Sequence, residues 1–248
     1  MMPEFLFGRE EELGSLRRRL GARQSFLLHG PSGVGKTFLL KRVLPEFPNT
    51  LYSRESPSAP AVFRNLALAL LAASAPRLVR LFGKAPDGIR AKSATALKGI
   101  VMDALREGSH CVVLDHLRLP SSAFAAAVRE VMGWGRTPVV VVARSAHMEN
   151  LGFLQPFFPD RADRLELRDF LPSAAERFIE EAARRARLSA ENRGEFLERV
   201  LQFSGGNPGA ILSMLEMAKH PQYRSAAHIR ITLLYLDFRM NWKPAGVL

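Results

Sequence analysis

Residues Gly30-Pro31-Ser32-Gly33-Val34-Gly35-Lys36-Thr37 complete the pattern G-x-x-x-x-G-K-[ST] and leave little freedom for the fold around them. The apolar run Phe26-Leu27-Leu28-His29 ahead of them reads as a buried strand. Phe38-Leu39-Leu40-Lys41-Arg42-Val43-Leu44 behind them reads as the start of a helix. Strand, glycine loop and helix in that order make a cradle in which successive backbone N–H groups turn toward phosphate oxygens at the positive end of a helix. Gly33 and Gly35 permit close backbone approach and left-handed angles, and Gly30, Pro31, Ser32 and Val34 complete the loop. Lys36 is placed to reach the β- and γ-phosphates of a nucleotide. The Thr37 hydroxyl is placed to ligate Mg²⁺, and Phe38 adjoins the same site.

A phosphate loop needs a carboxylate to hold the Mg²⁺ through water, at the carboxyl end of a neighbouring strand. Cys111-Val112-Val113-Leu114-Asp115 supplies one, with Asp115 at the strand's edge; a plain Asp turn is the alternative. Further strands are expected at Thr50–Ser53, Pro138–Ala143 and Arg164–Leu167. Helices are expected at Glu10–Leu20, Ala61–Ser74, Lys92–Glu107 and Ser121–Met132, and Pro76–Asp87 reads as irregular and basic. Alternating strands and helices predict a three-layer α/β fold with a parallel five-stranded sheet, Val139-Val140-Val141-Val142 forming a strand buried on both faces. After Phe170-Leu171-Pro172 only amphipathic helices are expected: Pro172–Arg187, Glu191–Phe203 and Pro208–His220. The expected divisions are 1–170 for the nucleotide-binding core, 171–220 for a helical subdomain and 221–248 for a helical tail.

The formal net charge of +11 favours anionic partners. Arg77, Arg80, Lys84, Arg90, Lys92 and Lys98 gather in segment 77–98 with only Asp87 among them. That segment reads as a patch for nucleic acid or an acidic protein, or as a bias toward Arg on an ordinary solvated surface. No aromatic residues are interleaved there, so base stacking is not indicated. No window approaches the roughly 18 consecutive apolar residues of a membrane-spanning helix, so no membrane partner is expected. The single Cys111 excludes an internal disulfide, and the N-terminal Met1-Met2-Pro3-Glu4 lacks the basic opening of a secretory signal. A cytoplasmic protein is the expectation.

At this point the chain resembles P-loop ATPases of the AAA+ and STAND type, including archaeal-ATPase and origin-recognition-like families, over roughly residues 5–220. Phe7-Gly8-Arg9-Glu10-Glu11-Glu12-Leu13 is similar to the GRExE box, which implies that Phe7, Gly8 and Arg9 line an adenine pocket. Cys111–Asp115 matches the Walker B strand. Val139–Ser145 is similar to the sensor-1 strand, implying that Arg144 stands near the γ-phosphate; an ordinary strand-end arginine is the alternative. Ser204-Gly205-Gly206-Asn207-Pro208 is similar to the GGNP motif of the helical lid, which implies that Pro208 approaches the base. Asn207-Pro208 is equally a good helix start, and both readings can hold. The resemblance implies ATP and Mg²⁺ as cofactors, Lys36, Asp115 and Arg144 as catalytic residues, and Thr37 and Asp115 as metal ligands. It leaves open an oligomer formed under nucleotide control.

One departure bears on activity. Active family members place an acid after the Walker B Asp, where this chain has His116. That acid orients the attacking water, whereas nucleotide binding does not depend on it. The expected function is an ATP-binding, slow, Mg²⁺-dependent ATPase acting as a conformational switch. The alternatives are an accessory ATPase for DNA transactions using the basic surface, and an ATP-binding assembly module without turnover.

Overall fold

The computed structural model describes residues 8–54, 58–116 and 120–242, which form two compact units. The larger unit, over the described residues, comprises 11–30 and 36–166; the other comprises 8–10, 31–35 and 167–242.

In chain order, the larger unit holds most of helix α1 (Glu10–Gly21), then β1 (Phe26–His29), α2 (Lys36–Val43), β2 (Thr50–Ser53) and α3 (Ala59–Ala72). There follow α4 (Pro76–Phe82), α5 (Asp87–Arg90), α6 (Ala94–Glu107), β3 (Cys111–Leu114), α7 (Ser122–Gly133), β4 (Val139–Ala143), α8 (Met148–Leu151) and β5 (Arg164–Glu166). The strands form a five-stranded sheet in the order β2-β3-β4-β1-β5, every pair parallel. All of β3 and β4 is buried, which is why both read as unbroken apolar runs. One sheet face, with Leu27, Leu51, Val112, Leu114, Val139 and Val141, joins a cluster with Val62, Leu66, Leu97, Val101 and Phe124 from α3, α6 and α7. The alternate strand residues Phe26, Leu28, Val113, Val140 and Val142 are buried too, as are Leu16, Leu39 and Leu40 of α1 and α2. Helices therefore cover both faces, as the alternating pattern requires.

Serine side chains start three of these helices. Ser58, Ser93 and Ser121 each accept a hydrogen bond from a backbone N–H in the first turn, at 3.4, 3.3 and 3.3 Å. Segment 76–87, expected to be irregular, instead holds α4 and the first residue of α5. Pro76 is the first residue of α4 and starts it, since its missing N–H would be unpaired there in any case. Leu78 and Ile89 are fully buried and anchor the two helices. Cys111 is buried, and burial pushes its thiol up to about 11, so it acts as a small apolar core residue.

The second unit contains α9 (Pro172–Arg185), α10 (Arg193–Ser204), α11 (Pro208–Met217), β6 (Arg224–Ser225), β7 (His228–Ile229) and α12 (Ile231–Asn241). Its own core joins Phe178, Ile179, Phe196, Val200, Ile211, Met214, Leu234 and Phe238. The expectation of helices alone here is corrected by the antiparallel hairpin β6–β7. Its turn carries no Asn-Gly signal, and Ala226 takes φ +52°. Asn192 holds the hairpin, donating to the Ile229 carbonyl at 2.9 Å and accepting from the Ile229 N–H at 2.8 Å. In α12, Leu234 and Phe238 are buried and Trp242 packs on the same core, while Leu233, Leu236 and Met240 are exposed. Among the described residues no single helix is long and apolar enough to cross a membrane.

Candidate nucleotide site

In the larger unit the sheet order places β4 between β3 and β1, with Leu114 opposite Val141 and His29 opposite Ala143. Residues that follow these three strands, Asp115, Arg144 and Gly30, therefore emerge side by side at the carboxyl edge. The Lys36 ammonium donates to the Gly30 carbonyl at 2.6 Å. The Asp115 carboxylate is buried, 2% exposed, and accepts three hydrogen bonds. Its Oδ2 accepts from the Thr37 hydroxyl at 2.9 Å and from the Tyr52 hydroxyl at 2.7 Å; its Oδ1 accepts from the His116 N–H at 2.8 Å. Those donors offset the desolvation of a buried charge. Because Thr37 donates its proton to Asp115, the lone pairs of Oγ1 remain for a cation.

His116 takes φ +53°, a left-handed conformation that His adopts more readily than most residues. Its Nε2 lies 3.5 Å from Thr37 Oγ1 and 3.7 Å from Asp115 Oδ2. Arg144 is exposed and makes no hydrogen bond or ion pair among the described residues. Phe38 is half-buried in the first turn of α2. Burial holds the half-buried His29 imidazole below its ordinary value; Glu166 opposes this, while Arg164, Lys36 and His147 reinforce it. The strand that feeds the loop thus ends on a neutral ring at pH 7.

The loop residues Pro31–Gly35 belong to the second unit, and the start of α11 holds two of their carbonyls. Asn207 Nδ2 donates to the Ser32 carbonyl at 2.9 Å and to Asp169 Oδ1 at 2.8 Å. Asn207 Oδ1 accepts from the Ala210 N–H at 3.1 Å and caps α11, with Pro208 buried at the next position. The Gly209 N–H donates to the Gly33 carbonyl at 2.9 Å. The buried Arg9 donates to the Arg168 carbonyl at 2.6 Å, leans toward the Val34 carbonyl at 3.4 Å, and lies 4.4 Å over the Phe170 ring. By contrast, the N–H groups of Ser32, Gly33 and Gly35 make no hydrogen bond among the described residues. Gly35 needs no side-chain clearance but takes φ +105°, a backbone other residues rarely adopt.

The structure thus brings Lys36, Thr37 and Asp115 together in one unit, and Gly8, Arg9, Ser32, Gly33, Val34 and Pro208 together in the other. Phe7 lies outside the described residues. Sequence reasoning missed Tyr52, which it read only as part of a strand, and Gly209. The signal for Tyr52 was strand register: Tyr52 pairs with Val113, so it shares a sheet face with the residue two places on, Asp115.

A Cβ on Gly209 would stand 2.8 Å from Gly33 Cα and 3.0 Å from the Gly33 carbonyl oxygen, both backbone atoms with no freedom to swing away. Gly209→Ala should therefore lower the unfolding midpoint. Gly194→Ala, exposed in α10 with nothing within 4 Å, should raise stability by about 0.5–1 kcal/mol. Urea unfolding of the two variants beside wild type reads the opposite signs directly.

A family model described as an AAA ATPase domain matches residues 6–210. No curated protein matches the sequence significantly. Among solved structures, Cdc6p from Pyrobaculum aerophilum is similar with a TM-score of 0.64 and 17% identity, over 92% of this chain and 66% of that one. The ORC1 protein of Aeropyrum pernix, solved in complex with DNA, gives 0.61 and 14% over 96% and 66%. The Walker-type ATPase Paby2304 of Pyrococcus abyssi gives 0.53 and 18% over 85% and 67%. The chain therefore spans about two thirds of the length of each, and at these identities the likeness concerns the fold. Motif, sheet and family model agree: the chain belongs to the AAA ATPase domain family, a P-loop α/β fold of the AAA+ type followed by a helical subdomain.

Proposed function

We propose that this chain binds ATP with Mg²⁺ on the loop Gly30–Thr37 and acts as a slow nucleotide-driven switch. The observation that carries the reading is the division of labour in the loop backbone. Its carbonyls at Ser32 and Gly33 are taken by Asn207 and Gly209, while the N–H groups of Ser32, Gly33 and Gly35 have no partner among the described residues. Such a row of N–H groups favours an anion of phosphate type. Lys36 would add a positive charge on the β- and γ-phosphates, and Gly8, Arg9 and Pro208 would border the base.

The donor set suits Mg²⁺: a hydroxyl oxygen from Thr37 would bind the ion directly, and the Asp115 carboxylate would hold it through water. When bound, Mg²⁺ would neutralise charge on the phosphates. Turnover is expected to be slow, because His116 offers no carboxylate to orient water. Arg144, at the carboxyl edge beside Asp115, would meet charge on the terminal phosphate. A reducing, cytoplasmic setting suits the lone buried thiol of Cys111.

Calorimetry against ATP, with phosphate release followed in the same preparation, tests this. Lys36→Ala should weaken ATP binding by at least about tenfold, equivalent to about 1.4 kcal/mol. Wild-type turnover should fall below about 1 s⁻¹, and His116→Glu should raise it. Unchanged ATP affinity in Lys36→Ala would overturn the site. Brisk wild-type turnover, or a His116→Glu variant that binds ATP without a faster rate, would overturn the role given to position 116.

A second reading, contact with nucleic acid or an acidic protein, is favoured by Arg80, Lys84, Lys92 and Lys98. These are exposed and have no ion pair among the described residues. Arg77 leaves that set: it is paired with Asp103 and, at 2.6 Å, with Glu107. Arg90 pairs with Asp87 at 3.3 Å. If the patch binds DNA, affinity should fall steeply between low and physiological salt through counterion release. Charge reversal at Arg80 and Lys84 should then reduce it. No binding to duplex DNA or to RNA at low salt removes the nucleic-acid form of this reading.

A further inference from the structure

The Asp115 carboxylate has a partner that the phosphate-loop motif does not account for. Tyr52 belongs to β2, next to β3 in the sheet, and its register with Val113 puts it on the same face as Asp115. Its hydroxyl donates to Asp115 Oδ2 at 2.7 Å, on the same oxygen that accepts from Thr37. A carboxylate oxygen offers about two lone-pair sites. Thr37 and Tyr52 therefore fill Oδ2, and the His116 N–H takes one site on Oδ1. One Oδ1 lone pair remains for a water on a cation, and the carboxylate plane is fixed by donors on both oxygens.

We infer that Tyr52 is a positioning residue for the Mg²⁺ site. It fixes the Asp115 carboxylate by filling the second site on Oδ2, which leaves one Oδ1 site that would be available to a water on the ion. The inference rests on the proposed ATP·Mg²⁺ reading. Groups that orient a metal-binding carboxylate without touching the metal commonly control its affinity by 10–100-fold. Tyr52→Phe removes only the hydroxyl. It frees an Oδ2 site, loosens the carboxylate and leaves the loop N–H groups and Lys36 unaltered.

The test is calorimetric binding of ATP to wild type and Tyr52→Phe, in EDTA and across a Mg²⁺ titration. The Mg²⁺ concentration giving half-maximal enhancement of ATP binding should rise about tenfold in Tyr52→Phe, while affinity in EDTA stays at the wild-type value. Tyr52→His, which keeps an N–H donor, should fall between the two. A merely structural role would weaken ATP binding equally with and without Mg²⁺, and that result overturns the inference, as does an unshifted Mg²⁺ midpoint. If wild type itself binds no ATP, the underlying site reading fails instead, and the two failures are told apart by the wild-type arm alone.

Discussion

A loop that offers its N–H groups to a ligand must have its carbonyls held by something else. Otherwise the backbone turns to satisfy itself and the anion site disappears. An unpaired buried backbone group costs about 1–3 kcal/mol, so the choice of partner fixes the loop's shape. Here the partners of the Ser32 and Gly33 carbonyls are Asn207 and Gly209, at the start of α11. The contact is close enough that neither Gly33 nor Gly209 has room for a side chain, since a Cβ on Gly33 would meet Asn207 Oδ1 at 2.5 Å. Asn207 also caps α11, whose Ile211, Met214 and Leu215 lie in the core of the second unit. The loop's conformation is thereby tied to the packing of a hydrophobic core that contains none of its own residues.

The second dependence is a buried charge. Asp115 follows four buried strand residues, and among the described residues no permanent cation lies at hydrogen-bond distance; three neutral donors hold it instead. Neutral donors solvate the carboxylate without cancelling it, which keeps its negative charge available to a cation. An arginine in the same place would form a closed ion pair. His116 follows in a left-handed turn that brings its ring near Thr37, so position 116 sits beside the hydroxyl and carboxylate and yet carries no acid.

The glycine loop and the place of Asp115 after β3 were legible because both are written in consecutive residues: a fixed motif spacing in one case, an acid at the end of an apolar run in the other. Strands β1, β3 and β4 were legible for the same reason, since burial on both faces erases alternation and leaves plain apolar runs. Tyr52 and Gly209 were not, because their roles arise from register and close packing between segments far apart in sequence. Helices α4 and α5 were hidden because each is short and lies in a basic stretch, with Pro76 starting α4, and the β6–β7 hairpin was too short to show a period. The charge cluster was misjudged at Arg77 because its partners, Asp103 and Glu107, come from α6, outside the segment scanned.

On the proposed reading, binding and turnover would separate physically. An anion that orders the N–H groups of the loop acts on a backbone already bonded to α11, so ligand affinity and the packing of the second unit share one free energy. A ligand shifts such an equilibrium only by the difference in its affinity for the two states, and that difference needs no chemical step. The Gly33–Gly209 contact is a suitable place for it to arise: with backbone against backbone, a small change in the loop's dihedral angles cannot be absorbed by a side-chain rotation and must move the start of α11. Hydrolysis, on this account, sets only how long the bound state lasts. On the proposed reading, a phosphate loop and a fixed Asp115 beside a histidine in place of the water-orienting acid would let the chain enter that state readily and leave it slowly.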